Sequence, residues 1–355
     1  MKIIVDILTP KQCMFFSKLF DELEKRGHQV FKTTREYREV IQLLKLKGMK
    51  ATVVGEHGGR KLIKKLTTSA QRTVELASLF DKLEPDVAVS FSSPEMARVS
   101  YGLGVPHVCI NDSPHAEAVA RLTVPLSRRL LTPKMIPKKA WTKYGIAPER
   151  IVQYYALDPW VWLKDFTPDR GVLQELRLDE SKPILTFRTE ENFAAYLLGK
   201  TQKETFIIRI IDKLLEAAED LQIVAVPRYN EQIETLKEAF GDRIIICEST
   251  VDGPSLLHYT SLFVGAGGTM TTEASLLGVP TFSCYPDEPF LILKYLIGKG
   301  LVTRETDPEK LVRGILETLS NIGHEKNKQA GKAQRLVEKF EDPIETIIRE
   351  AEKLA

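Results

Sequence analysis

The chemistry-bearing residues of this chain crowd into positions 261–282, Ser-Leu-Phe-Val-Gly-Ala-Gly-Gly-Thr-Met-Thr-Thr-Glu-Ala-Ser-Leu-Leu-Gly-Val-Pro-Thr-Phe. Leu262, Phe263 and Val264 form a short apolar run of the kind that fills a buried parallel strand. Gly265, Gly267 and Gly268 let the backbone turn sharply and let a ligand approach it closely. Thr269 or Thr271 is placed to cap the helix that follows, Gly278 to end it, and Pro280 to open the next strand. Unpaired N–H groups and the helix dipole both point out of such a helix start, which makes it an anion site. Glu273 falls about one helical turn inside, where a carboxylate reaches the hydroxyls of a ribose beside a bound phosphate. A turn that merely packs a helix onto a sheet would show the same glycines, so the ligand has to be argued from elsewhere in the chain.

Spacing excludes two nucleotide sites. The phosphate loop of nucleotide triphosphatases ends in Gly-Lys-Ser/Thr, which is absent here. A dinucleotide fingerprint belongs in the first strand–helix unit, but the first strand, Lys2–Leu8, is followed by Thr9-Pro10-Lys11-Gln12, with no glycine. What remains is a nucleotide-diphosphate derivative held by the second half of the chain.

The elements that must position this turn alternate strand and helix from end to end. Strands read at Lys2–Leu8, His28–Lys32, Ala51–Val54, Val87–Ser90 and Pro106–Ile110, with helices between them. After an irregular region, Leu122–Pro168, which holds six prolines and all three tryptophans, alternation resumes at Pro183–Phe187 and continues to a tail helix at Glu345–Leu354. Such alternation with short loops predicts parallel sheets covered by helices on both faces. The 355 residues suggest two domains of ordinary size. We place them at residues 1–168 and 169–340, with 341–355 as a tail helix packing back on the first. Two doubly wound Rossmann-like domains facing across a cleft are expected, with ligand beyond the carboxyl ends of the strands.

Composition narrows the classes. A net charge of +2 with 28% charged residues gives nucleic-acid binding no support. Cys13, Cys109, Cys247 and Cys284 are far apart in sequence and form no metal-type pair, so they read as buried reduced thiols. Asp6 interrupts the N-terminal apolar run and no stretch approaches a membrane span, so a cytoplasmic protein is expected.

Taken together, Gly267-Gly268-Thr269-Met270, Glu273-Ala274 and Leu276-Leu277-Gly278-Val279-Pro280 resemble the nucleotide-sugar motif of the GT-B superfamily. That superfamily includes the lipid-linked N-acetylglucosamine transferase of peptidoglycan synthesis and UDP-N-acetylglucosamine 2-epimerase. Over nearly its whole length the chain is still more similar to a largely archaeal family catalogued as a domain of unknown function. The matching parts are Asp6-Ile7 with Pro10 and Phe15-Phe16, Leu23 to His28, Asn111-Asp112-Ser113-Pro114-His115-Ala116, and Tyr295 to Leu301. The resemblance implies that Gly267, Gly268 and Thr269 hold a donor diphosphate and that Glu273 binds the ribose. It implies that the loop near Val251 contacts the base and that Asp287 and Glu288 contact the donor sugar. Enzymes of this kind need no metal or cofactor; a positive side chain and the helix dipole stabilise the leaving diphosphate. Arg188 is the first candidate for that charge and Arg228 the second. The resemblance also implies a histidine two residues after Pro10 and another two further on. Here those positions are Gln12 and Met14, which weakens the case for a base in that loop.

Glycosyl transfer to a hydroxyl requires a base. His115 follows a strand end, with Asp112 three residues before it to orient or charge the ring. His57, in Gly55-Glu56-His57-Gly58-Gly59, is the other candidate. Two basic stretches add a partner expectation. Ile41–Val74 carries eight Lys or Arg and one acid, Glu56. Ala118–Pro148 carries seven and no acid, interleaved with Leu126, Leu130, Leu131, Met135, Ile136 and Trp141. Such patterns suit an anionic membrane surface, at which the protein would sit peripherally, or a lipid-linked acceptor. The sequence is therefore read as a glycosyltransferase using a UDP-linked sugar. Two alternatives stay open. One is a UDP-N-acetylhexosamine 2-epimerase, although the epimerase helix carries paired glutamates where this chain has Thr272-Glu273. The other is a non-catalytic nucleotide-sugar-binding protein.

Overall fold

The computed structural model describes residues 1–59, 61–189, 204–266 and 268–355. The chain divides into two compact units, Met1–Trp162 with Phe340–Ala355, and Leu163–Lys339. The division falls at Trp162 rather than Pro168, because the aromatic rings around it belong to the first unit. Tyr155 and Trp160 meet Phe340 edge-on at 5.9 and 6.1 Å between ring centroids.

The first unit is built on seven parallel strands: β1 (Lys2–Ile7), β2 (Gln29–Glu36), β3 (Thr52–Glu56), β4 (Val87–Ser90), β5 (His107–Ile110), β6 (Arg129–Pro133) and β7 (Ile151–Tyr154). Their order is β3-β2-β1-β4-β5-β6-β7. Strands covered on both faces must be apolar throughout, and Ile3, Ile4, Val5, Val108 and Ile110 are accordingly fully buried. Helices Pro10–Lys25 and Leu62–Leu83 show the amphipathic spacing that packs such a sheet; the first buries Phe15, Phe16, Leu19 and Leu23. The terminal helix Pro343–Glu352 closes this unit, burying Ile344, Ile347 and Ile348 and pairing Glu345 with Arg26 at 2.6 Å.

The sequence reading of Leu122–Pro168 as a domain end and linker is corrected here. The segment contributes β6 and β7 to the sheet, with Leu130, Leu131, Ile136 and Trp141 fully buried. Proline and arginine neighbours hid two very short strands whose apolar content is two or three residues each. The correction carries a second one: Leu130, Leu131, Ile136 and Trp141 of this basic stretch belong to the core, and Leu126 and Met135 are half-buried, so of its large apolar side chains Leu122 is left exposed among the basic residues.

The second unit repeats the plan with β8 (Ile184–Arg188), β9 (Gln222–Val226), β10 (Ile245–Ile246), β11 (Leu262–Gly265), β12 (Thr281–Ser283) and β13 (Thr303–Arg304). All pair in parallel, in the order β10-β9-β8-β11-β12-β13. Leu185, Phe187, Leu262, Val264, Ile210, Leu214, Leu311 and Ile315 form one contiguous core between sheet and helices. Helix Ile322–Val337, which the sequence analysis did not find, is largely polar and buries little beyond Gln329, Ala333, Leu336 and Val337. It crosses helix Thr269–Leu276 at Gly278, where a Cβ would fall 2.6 Å from the Cα of Ala330 and φ is +75°. Gly278 is thus required both by backbone conformation and by close packing.

Candidate functional site

In the second unit the strand order reverses between β8 and β11, the place where open α/β sheets bind ligands beyond their strand ends. Gly265, the last residue of β11, lies in register between Arg188 at the end of β8 and Ser283 at the end of β12. The glycine turn therefore opens at the switch point with Arg188 beside it. Helix Thr269–Leu276 starts from Gly268, which adopts φ 85° and ψ −167°, a conformation open to glycine. Contrary to the sequence expectation, neither threonine caps this helix: its N-cap is Gly268, and among the described residues no side chain accepts a hydrogen bond at its start. Thr272 and Ser275 instead turn their hydroxyls back to the carbonyls of Gly268 and Thr271, at 3.2 and 2.7 Å. Thr271 Oγ1 is buried with no partner among the described residues. A helix start without a side-chain cap keeps its N–H groups available to an anion. Glu273 is the fifth residue of this helix and is buried. Gly267 lies outside the described residues.

The remaining donor-site candidates separate by how they are held. The Arg188 guanidinium is half-buried and donates through Nη1 to the carbonyls of Val226 (3.0 Å) and Pro227 (3.1 Å). Arg228 is exposed and stands one strand further from the turn, its guanidinium 6.0 Å from the Tyr229 ring. Val251 packs its side chain against the Val172 and Leu256 cluster, leaving only the loop backbone for a ligand. Asp287 and Glu288 follow β12 and are both exposed. The Asp287 carbonyl accepts from Arg304 Nη2 at 3.2 Å, and the Glu288 carboxylate pairs with Lys294, which holds it below the usual carboxylate pKa.

The first unit carries a group in which Asp112, a sequence candidate, meets Lys11, Asp158 and Tyr154, which the sequence analysis did not single out. Its switch point lies between β1 and β4. Lys11, in the first turn after β1, donates to Asp112 Oδ2 (2.6 Å) and Asp158 Oδ2 (2.7 Å) and sits 4.2 Å from the centre of the Phe91 ring. Tyr154 Oη donates to Asp158 Oδ1 at 2.6 Å, and Ser113 Oγ to Asp112 Oδ1 at 2.8 Å. One ammonium shared by two carboxylates splits their acidities. Burial raises both, but contact with Lys11 outweighs it at Asp112, whose pKa is lowered, while Asp158, only 2% exposed, is pushed up to about 6. Ser92, beside this group, has φ 58°, a left-handed strain for a residue with a side chain. Asn111 Nδ2 is buried and lacks an acceptor among the described residues. The only sequence signal for the group was position: Lys11, Asp112 and Asp158 all directly follow strand ends or their first loops.

Three sequence expectations change accordingly. Asp112 is bonded to Lys11 and Ser113, not to His115, so it acts on that ring only through its charge. His115 lies exposed in the turn before helix Glu117–Thr123; desolvation outweighs Asp112 and lowers its pKa. His57 stacks on Tyr37 at 4.7 Å and accepts from the Gly59 N–H through Nδ1 at 3.2 Å. Desolvation, Arg35 and Lys65 lower its pKa as well. β3 and β5, the strands that His57 and His115 follow, are separated by three strands, roughly 19 Å at ordinary strand spacing. Gln12, standing where the resemblance implies histidine, is a brace. It accepts from the Leu8 N–H at 2.6 Å and donates to the Phe91 carbonyl at 3.0 Å.

Two further buried groups are structural. Arg72, counted in the basic stretch, is 1% exposed and forks onto Asp6 (2.6 and 3.1 Å) and Glu95 (3.4 Å). His107 on β5 lies between the hydroxyls of Ser90 (2.9 Å) and Ser127 (3.0 Å), and burial lowers its pKa to about 3. The four cysteines are buried and form no disulfide among the described residues. Among the described residues no group of His, Cys, Asp or Glu is arranged to hold a metal, and no helix is long and apolar enough to cross a membrane.

The profile of the family described as "Protein of unknown function (DUF354)" matches residues 1–352. The chain belongs to this family. It is 29% identical over 320 residues to the uncharacterized protein MJ0665 of Methanocaldococcus jannaschii, covering 89% of this chain and 91% of that protein. Among solved structures it resembles the UDP-GlcNAc 2-epimerase of Neisseria meningitidis bound to UDP-GlcNAc (TM-score 0.77, 15% identity, 99% of this chain and 100% of that one). It also resembles the spinosyn forosaminyltransferase SpnP (TM-score 0.62, 16% identity, 100% and 99%). This DUF354 protein thus has a GT-B-type α/β fold, shared with epimerases and glycosyltransferases.

Proposed function

We propose that the protein binds a nucleotide-diphosphate sugar, UDP-linked, in its second unit and transfers the sugar to a hydroxyl acceptor without a metal. The observation that carries this reading is the uncapped start of helix Thr269–Leu276 at the switch point, with Arg188 fixed in register beside it. The acceptor oxygen bonds to the anomeric carbon as the bond from that carbon to the diphosphate oxygen breaks. The electron pair leaves with the diphosphate, where the helix start and Arg188 offset the developing charge. The acceptor proton passes to a base, for which the exposed His115, its pKa lowered by desolvation, is suited. Glu273 binds the ribose, and Asp287 and Glu288 the sugar hydroxyls. The known binding of UDP-GlcNAc by the Neisseria meningitidis epimerase supports the choice of a UDP-linked donor.

One observation favours the second reading, epimerisation of a UDP-N-acetylhexosamine. Eliminating and re-adding the diphosphate needs more than one acid or base, and Lys11, Asp112, Asp158 and Tyr154 assemble such groups at one sheet edge. Incubating the full chain with UDP-GlcNAc separates the readings. Transfer gives UDP release that depends on an added hydroxyl acceptor, such as a membrane lipid extract. Epimerisation gives the C2 epimer by proton NMR with no acceptor. Bound nucleotide sugar with neither product would refute both.

A further inference from the structure

The two basic stretches of the sequence part company in the structure. In Ala118–Pro148 Leu130, Leu131, Ile136 and Trp141 fill the core and Leu122 alone of the large apolar side chains stands exposed, at 57%; in Ile41–Val74 Arg72 is internal. What survives is a short segment, Lys61-Leu62-Ile63-Lys64-Lys65-Leu66, at the start of helix Leu62–Leu83. Leu62 is 82% exposed, Ile63 64% and Leu66 68%, among the most exposed large apolar side chains of the protein, and the three lysines between and beside them are exposed too. Leu46, with Lys45 and Lys47, lies before β3 and so at the other end of that strand; it is not part of this surface.

The same turn is built against its own helix. It has no side-chain cap and no acidic residue in its first turn, and its three lysines lie at the positive end of the helix dipole. An anionic partner reverses each of these costs: its oxygens meet the positive end of the helix dipole and the lysines. The apolar side chains need a partner with an apolar layer directly beneath the anions. A bilayer of anionic lipid has both, in that order, with lysine stems lying along the boundary and their ammonium groups among the phosphates.

We propose that Lys61–Leu66 is a docking turn that seats the first unit on an anionic membrane surface, Leu62, Ile63 and Leu66 entering the acyl boundary. This deepens the reading of a lipid-linked acceptor and rests on it for its purpose, but its test needs no turnover.

The experiment is vesicle co-sedimentation of the full chain with phosphatidylglycerol–phosphatidylcholine vesicles, against phosphatidylcholine alone and against added salt. Binding is expected only to the anionic vesicles. Leu62→Asp/Leu66→Asp should weaken it roughly tenfold or more. Lys61→Gln/Lys64→Gln/Lys65→Gln should weaken it by about fivefold per lysine. Both variants change exposed residues, so the melting temperature and any UDP-induced shift should match the parent; loss of the UDP shift in the parent would count against the donor reading and leave this proposal standing. Equal binding to neutral vesicles, or binding unchanged in either variant, would overturn it. So would a dimer in sedimentation velocity that the Leu62→Asp/Leu66→Asp variant dissociates, since the surface would then belong to a second copy of the chain.

Discussion

Replacing Asp158 by Asn should make this protein more stable at neutral pH, although it removes a buried residue with two short hydrogen bonds. Asp158 is 2% exposed and shares Lys11 with Asp112, so a single cation faces two carboxylates. Its pKa is about 6 against an ordinary 3.8, a gap worth about 3 kcal/mol at roughly 1.4 kcal/mol per pH unit. The direction follows from proton uptake. Between pH 6 and 3.8 the folded chain binds a proton at Asp158 that the unfolded chain does not, so this group adds stability as pH falls and carries its full cost at pH 7. Asn keeps the shape and can present its oxygen to Lys11 and its amide to the Tyr154 hydroxyl. The buried charge in excess of the single cation disappears, while Lys11 keeps Asp112 as its counter-charge. His107 opposes the trend in parent and variant alike, because its depressed pKa of about 3 loses stability as pH falls below 6.5. The informative quantity is therefore the difference between the two proteins. Urea titrations at several pH values should show Asp158→Asn ahead by about 1–3 kcal/mol at pH 7, the advantage fading by pH 4. A variant less stable at pH 7, or a difference independent of pH, would refute the raised pKa of Asp158. If Asp158 serves chemistry, the same variant should lose activity while gaining stability.

The opposite slope can be isolated at His107. In His107→Gln the loss of stability between pH 6.5 and about 3 should be reduced, visible as a flatter acid limb in urea midpoints, and an unchanged limb would assign it elsewhere. Gly278→Ala should cost about 2–4 kcal/mol, since it combines a φ of +75° with a Cβ 2.6 Å from the Ala330 backbone; a melting temperature equal to the parent's would contradict the packing described. Arg72→Met should cost about 3–5 kcal/mol at pH 7 by leaving Asp6 and Glu95 without their cation, measured in the same titrations.

The alternation of elements, the glycine turn and its strand were legible in the sequence because each rests on local chemistry: apolar strand runs, amphipathic spacing, and glycines where the backbone must turn. Strands β6 and β7 were not, because a buried strand of four or five residues bordered by proline and arginine carries almost no periodic signal. Helix Ile322–Val337 was missed for a related reason: its buried face is small and partly glutamine. The candidate acid–base group escaped because it is assembled by topology. Lys11, Asp112 and Asp158 are far apart in sequence and meet only when β1, β5 and β7 end at the same edge of one sheet. Conversely, the pairing of Asp112 with His115 looked local and plausible but lost to a better-placed ammonium. Exposure decided between the two basic stretches, and no sequence count distinguishes a leucine under a lysine from one beside it.

The claim on which the account rests is that the second unit holds a nucleotide diphosphate at the glycine turn. Calorimetric titration of UDP into the full chain tests it most directly. Saturable binding is expected with a dissociation constant on the order of micromolar to millimolar. In Glu273→Gln, with the melting temperature of the free protein as control, binding should weaken by about ten- to a hundredfold through loss of charged hydrogen bonds to the ribose. Absence of binding, or equal affinity in the parent and the variant, would contradict it.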